Sequence, residues 1–290
     1  MQVILKSKKG CCMYQIESMA GELKSGDTIL YLGIGIFKWL KFENGEDMPY
    51  DSNSIIFALN DGKPMAPRLM YEYTRAAMDI EQRAGRGFLE KKLTSIYSKP
   101  FVTGAVFELV KKLMPKYIID TNYDDAILKL YAKTTHSVIF GKSRIGAELD
   151  RFEIFEMDIQ SGEYVKIDKN TLNTDNPIIF KPMGCVHPKS SFIISDADFV
   201  DWLTEAMGGF AVPPILKPYR ENKKYLMLGI GFEKDTERMV ANELTLGLSG
   251  GYLVNDKEPA KNCEKYLKSH KMEFIASDVN EFAAKLVSEL

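Results

Sequence analysis

Residues Thr121-Asn122-Tyr123-Asp124-Asp125 set an amide, two hydroxyls and two carboxylates within five positions, directly after the apolar run Tyr117-Ile118-Ile119-Asp120. An open α/β sheet places its ligand-binding side chains at such junctions, just beyond the carboxyl end of a strand. An amide there can donate to and accept from ligand hydroxyls, and a carboxylate can position water. The same residue types also make ordinary turns and helix N-caps, so this stretch gains meaning only alongside other strand ends.

Three further junctions share the pattern. The strand Thr28-Ile29-Leu30-Tyr31-Leu32 opens into Gly33-Ile34-Gly35-Ile36-Phe37, with Ser25-Gly26-Asp27 as the turn before it. The strand from Tyr225 ends in Gly229-Ile230-Gly231-Phe232, followed by Glu233-Lys234-Asp235. Between them, Ile178-Ile179-Phe180 runs into Lys181-Pro182-Met183-Gly184-Cys185-Val186-His187. Paired glycines let a backbone turn tightly and approach a phosphate or ribose that a Cβ atom would exclude. The third glycine of the dinucleotide fingerprint is missing after Gly35, and the bulky Phe37, Lys38 and Trp39 follow instead.

The elements that must hold these junctions follow from periodicity. Tyr50 to Pro67, rich in Asp, Asn, Ser, Gly and Pro, predicts irregular structure. Residues 68–97 read as helix with solvated charges, one or two of whose arginines (Arg75, Arg83, Arg86) could reach a phosphate. Phe107, Val110, Leu113 and Met114 mark a helical face that ends at Pro115. Helix continues over 127–133, and residues 134–176 predict a small strand-rich inserted lobe within a single domain spanning 1–290. Ser195-Asp196-Ala197-Asp198 starts a helix through Met207, and another runs from Glu237 to Leu246. Gly250–Val254 and Met272–Ile275 are further strands, and Asp278 with Glu281 caps a C-terminal helix. At least five apolar strands separated mostly by helices predict an α/β fold, a mainly parallel Rossmann-like sheet with helices on both faces. The apolar segment Gly208–Tyr219 is expected to cover the cleft, to join another subunit in a homo-oligomer or protein complex, or to pack on its own domain.

Bulk composition narrows the partners. With 290 residues, 45% hydrophobic and 27% charged, the chain can bury a large core, and a formal charge of −2 gives no general attraction for nucleic acid or anionic membrane. No apolar run approaches the ~20 residues of a membrane span and no leader pattern opens the chain, so a cytoplasmic protein is expected. Cys11, Cys12, Cys185 and Cys263 form no CxxC pair, and His136, His187 and His270 are scattered, so neither zinc nor a disulfide framework is predicted.

Taken in order, the junctions resemble the sirtuin-like family over roughly residues 28–290, in particular its NAD-hydrolysing branch without the zinc module. That family's first strand ends in Gly-Ala-Gly, a middle strand in Thr-Asn-Tyr-Asp, a later one in Lys-Leu-His-Gly, and another in Gly-Tyr-Ser followed shortly by Asp. The resemblance implies NAD as ligand, with Gly33 and Gly35 under the phosphates, Asn122 at the nicotinamide ribose and Thr121 among the cofactor-binding residues. Asp124 would organise that loop or position water, Gly184 would form the later turn, and Gly229, Gly231 and Asp235 would serve the adenosine half. Two departures stand out. Met183 occupies the position of the family's catalytic histidine, and a thioether cannot accept a proton from a ribose hydroxyl or water; His187, four residues on, is the candidate substitute if the loop folds back, and a structural or surface histidine is the favoured alternative. Ile34 and Phe37 replace smaller residues and narrow the site. Two functions follow: a NAD glycohydrolase acting through Asn122, Asp124 and His187, or an inactive module that binds a nucleotide, an ADP-ribose-like ligand or a partner protein. A methyltransferase-like glycine loop is a third and lesser fit to Leu32–Phe37.

Overall fold

The computed structural model describes residues 13–142 and 150–290; Cys11 and Cys12 lie outside them. The first half of the chain forms α1 (Met13–Ser25), β1 (Thr28–Leu32), α2 (Ser52–Leu59), α3 (Tyr73–Ala84), α4 (Arg86–Tyr97), α5 (Ala105–Leu113), β2 (Tyr117–Asp120) and α6 (Ala126–Leu130). A run of strands follows: β3 (Ser137–Gly141), β4 (Phe152–Asp158), β5 (Glu163–Ile167), β6 (Ile178–Lys181) and the short hairpin β7 (Gly184–Cys185) and β8 (Ser191–Phe192). The remainder alternates as α7 (Asp196–Met207), α8 (Lys217–Arg220), β9 (Lys224–Leu228), α9 (Asp235–Leu244), β10 (Gly250–Asn255), α10 (Lys261–Ser269), β11 (Met272–Ala276) and α11 (Val279–Glu289).

One nine-stranded sheet runs in the order β11-β10-β9-β1-β2-β6-β3-β4-β5. Every pairing from β11 to β3 is parallel, and β3-β4 and β4-β5 are antiparallel. The expected α/β architecture with a mainly parallel sheet is therefore present. Residues 134–176, expected as an inserted lobe, supply the three strands β3, β4 and β5 that occupy one edge of this sheet. The central strands β1, β2 and β6 are buried along their whole length, as strands covered on both faces must be. Ile118, Ile119, Ile179 and Phe180 are fully buried, and truncating one of them to alanine would cost about 2–5 kcal/mol.

Register fixes where the functional loops emerge. Leu32 lies level with Asp120 on one side and Leu228 on the other, so the residues after each strand open on the same rim. The chain moves from β1 to β2 in one direction and later adds β9 on the opposite side. The order reverses beside β1, which is where ligands enter open α/β sheets.

Local signals explain most boundaries. Ser195 Oγ accepts from the Asp198 N–H (3.3 Å) while Asp198 Oδ2 accepts from the Ser195 N–H (3.0 Å), a capping box that starts α7. Asp278 accepts from the N–H groups of Asn280 and Glu281 at the start of α11. The stretch 50–67 is not irregular throughout. Asp51 and Ser54 form a second capping box and launch α2, so the polar cluster marks a helix start rather than a loop. Residues 73–97 are two helices parted at Gly85, whose φ of 87° a Cβ would disfavour. The apolar segment 208–219 packs on its own domain: Ala211, Val212 and Leu216 are buried, and the Tyr219 ring lies tilted against Tyr117 with centroids 5.4 Å apart. Tyr117 begins β2, so this segment lies at the rim opposite the strand-end loops. Among the described residues, no helix is long and apolar enough to cross a membrane.

Candidate active site

Four strand ends meet around one cavity of about 80 Å³. Gly33, Thr121, Asn122, Met183, Gly229 and Ile230 all contribute to its wall. An adjoining groove of about 330 Å³ runs outward past Gly35, Gly231, Asn255, Asp256 and Asp278. Ile34, Glu72, Tyr73, Gly229 and Glu237 line both spaces and form the neck between them.

Asn122 is the best-defined polar group. Its position is built from Asp120, the last residue of β2, whose Oδ1 accepts from the Asn122 main-chain N–H (3.0 Å) and from Nδ2 (2.8 Å). Asp120 is in turn fixed by Lys181 at the end of β6, with Nζ 2.6 Å from Oδ2 and both side chains fully buried. The parallel register that pairs Ile119 with Phe180 places these two residues side by side. Because the carboxylate takes the amide's donor end, Oδ1 of Asn122 is left buried and without a hydrogen-bond partner, in a residue that lines the cavity. Such an oxygen costs about 1–3 kcal/mol unless something donates to it. Thr121 beside it is locked differently, its hydroxyl and N–H both donating to the Leu32 carbonyl (2.8 and 3.0 Å).

The glycines lock loop to loop. The Gly33 N–H donates to Leu228 O and the Gly35 N–H to Gly229 O, each at 2.8 Å. A Cβ on Gly33 would come within 2.4 Å of Ile230 and 2.7 Å of the Gly229 carbonyl, and Gly229 has φ 76° with its own Cβ position 2.4 Å from Ile36 N. Only glycine at these places lets the β1 and β9 loops touch. Gly231 instead opens on the groove.

The other sequence-derived candidates lie elsewhere. Gly184 serves the β7-β8 hairpin, where a Cβ would fall 2.0 Å from Ser191 O. Asp124 is buried outside the cavity wall; its Oδ1 accepts from the Ala126 N–H (2.9 Å) at the start of α6, and burial pushes its carboxyl up to about 6. His187 is exposed and rests its ring against Tyr164 of β5, 5.4 Å between centroids. Asp235 is exposed at the start of α9 and pairs with Arg238. Arg86 is unavailable to a phosphate, since it binds Asp198, Glu90 and the Phe192 carbonyl. Burial drives the Cys185 thiol up to about 12, so it is protonated and not a nucleophile at neutral pH.

Sequence reasoning missed the neck. Glu72 precedes α3 and is held above the ordinary carboxylate range by burial, partly offset by a hydrogen bond with Thr236. Glu237 lies in the first turn of α9. Burial, then the charges of Glu233 and Glu72, push its carboxyl up to about 7, against the pull of the Glu233 and Lys234 N–H groups. Its Oε2 is shielded from solvent and has no hydrogen-bond partner. The available signal was positional: a carboxylate in the first helical turn after a glycine-rich strand end.

A parallel α/β sheet with a ligand crevice at the reversal of its strand order defines a nucleotide-binding type of fold. More narrowly, the SIR2-like domain matches residues 116–275, more than half of the chain, and the protein belongs to the SIR2-like family. A solved structure described as "Structural Basis for the Mechanism and Regulation of Sir2 Enzymes" is similar at 12% identity and a TM-score of 0.43, over 94% of this chain and 96% of that one. So remote a likeness says nothing about individual residues. No curated protein matches the sequence.

Proposed function

We propose that the cleft binds NAD, with the nicotinamide end directed at the cavity beside Asn122 and the rest of the dinucleotide along the groove, and that the bound dinucleotide is hydrolysed at its nicotinamide N-glycosidic bond. The observation that carries this reading is the buried, unpartnered Oδ1 of Asn122 in the cavity wall. With its amide donors committed to Asp120 and to the Gly33 carbonyl, Asn122 acts here purely as an acceptor, suited to one ribose hydroxyl. Along the groove Asn255 Oδ1 already accepts from the Lys257 N–H and Asp278 from Trp39 and the start of α11, so only their remaining lone pairs face the second ribose. The Gly33 and Gly35 amides are spent on the neighbouring loop, so the pyrophosphate charge falls to the groove lysines, where it would have to compete with Asp256 for Lys38 and with Glu233 for Lys257, while Lys234 lies over the Tyr71 ring. Anionic and acceptor groups at the neck would stabilise the positive charge that develops on the ribose as the bond breaks.

The test is a melting-temperature series with NAD and with ADP-ribose, since a ligand that binds only the folded state must raise it. A clear upward shift is expected for the wild type and its loss in Asn122→Ala. No shift with either ligand removes the proposal. A second reading, a nucleotide-binding module without catalysis, is favoured by Met183, whose thioether stands in the cavity wall. Release of free nicotinamide decides between the two.

A further inference from the structure

We propose that Glu237 is the proton acceptor of this cleft, a carboxylate at the neck doing the work that no imidazole is placed to do. The inference rests on the reading that NAD is the ligand, and it names the group that would activate water there.

Elimination leads to the same residue. The titratable side chains in the cavity wall are Tyr31, Glu72, Tyr73, Tyr97, Tyr123 and Glu237. Burial raises all four tyrosines above their ordinary range, so at neutral pH each keeps its proton. Of the two acids, Glu72 is engaged by the Thr236 hydroxyl, whereas Glu237 presents a solvent-shielded Oε2 with no partner. His136 is no rival: its two ring nitrogens are bonded to the Thr134 carbonyl (2.7 Å) and the Tyr164 hydroxyl (2.6 Å). Glu72 has a positioning role, because its nearby charge disfavours ionisation of Glu237. A carboxyl poised near neutrality is well matched to general-base work at physiological pH, and a shielded, unsatisfied carboxylate oxygen on a half-buried side chain is tolerated where it serves a ligand rather than stability.

In the step proposed, Glu237 takes one proton from a water molecule whose oxygen forms the new bond to the ribose C1′. The C1′–N bond breaks, its electron pair stays with the ring nitrogen, and nicotinamide leaves neutral. The products are ADP-ribose and nicotinamide, and Glu237 returns the proton to solvent through the groove.

The experiment compares wild type, Glu237→Gln and Glu237→Asp for nicotinamide release across pH 5–9, ADP-ribose affinity, and ligand-free unfolding across the same range. Expected are a wild-type rate that climbs with pH to a plateau, a kcat at least about 100-fold lower in Glu237→Gln, and partial recovery in Glu237→Asp. ADP-ribose affinity should stay within about threefold, showing that the variant folds and binds. Glu237→Gln should also lose part of the wild type's decline in stability between pH 4.5 and 7 without any ligand present, the remainder belonging to Asp124. If wild type turns over and Glu237→Gln matches its rate and pH profile, the role assigned to Glu237 is wrong while the NAD reading stands. If wild type binds ADP-ribose but releases no nicotinamide, hydrolysis and its base fall together.

Discussion

Two buried acidic clusters join α3 and α4 to later helices, and they are built on opposite principles. Where α4 meets α7, Arg86 reaches Asp198 at 2.7 Å, Glu90 at 2.9 Å and Glu81 at 3.4 Å. Burial would raise the Asp198 carboxyl, yet Arg86 beside it and the Ile194 and Ser195 N–H groups hold it below its ordinary range. Where α3 meets α9, Glu72 and Glu237 face a threonine hydroxyl and main-chain N–H groups, and both are shifted upward. Desolvation opposes ionisation in both clusters, but only in the first does a cation outweigh it; at Glu72 the charges of Lys234 and Arg75 offset it only in part. The first is therefore an anchor, and the second holds a charge that a ligand can use.

Removing the cations should separate the two most sharply. Arg86→Met strands Asp198, and Lys181→Met strands Asp120; each is expected to lower unfolding free energy by about 3–5 kcal/mol, read from urea denaturation at pH 7. Lys181→Met should in addition abolish the ADP-ribose melting shift, because Asp120 would no longer hold the Asn122 amide in place. A loss below about 1 kcal/mol in both would place these pairs with weak surface bridges and erase the contrast.

Titration sharpens the comparison through its sign. The folded-state value of Glu237 lies near 7, above its ordinary 4.5, so the folded protein holds that proton more tightly than the unfolded chain. Its contribution is fully present below pH 4.5 and is lost as pH rises toward 7. Asp198 runs the other way: its value is depressed, so its contribution is present above the ordinary aspartate value and disappears as pH falls through the folded one. Glu237→Gln should match wild type at pH 4 and exceed it by on the order of 1–2 kcal/mol at pH 8. Part of the wild-type decline should survive in the variant, because Asp124 is also shifted upward, to about 6. A variant that is less stable at pH 8 would mean that the neck is a structural anchor after all.

The sequence made one of these regions legible and hid the other. Strand ends announce themselves, since Tyr117–Asp120 and Thr28–Leu32 are apolar runs broken by residues with few structural alternatives, and the register of a parallel sheet then brings Gly33, Asn122, Met183 and Gly229 to one rim. The Ser195 and Asp278 caps were equally readable, because a cap depends on neighbours three residues away. Asp51 through Ser54 read as loop in the sequence because the same residue types serve both turns and caps. Glu72 was indistinguishable from the solvated acids of α3. Only the meeting of the residue before α3 with the start of α9, two segments far apart in sequence, brings it to Thr236 and Glu237, and no local pattern encodes that meeting.

The smallest effect is expected at His187, and it bears directly on where the proton acceptor lies. In sequence His187 is the nearest imidazole to the strand end that carries Met183. In the structure the Val186 N–H donates to the Tyr123 carbonyl (2.8 Å), and the next residue turns its ring toward Tyr164 on β5, the edge strand farthest from β11 in the sheet order. Tyr164 is itself held by His136, so His187 rests on a fixed surface and not on a hinge that could swing it inward. His187→Ala should change stability by no more than about 0.5 kcal/mol and leave both nicotinamide release and the ADP-ribose melting shift at wild-type levels. A loss of turnover with binding retained would show that the hairpin rearranges around the ligand to bring an imidazole to the cavity, and the unpaired acids at the neck would then lose their claim to the chemistry.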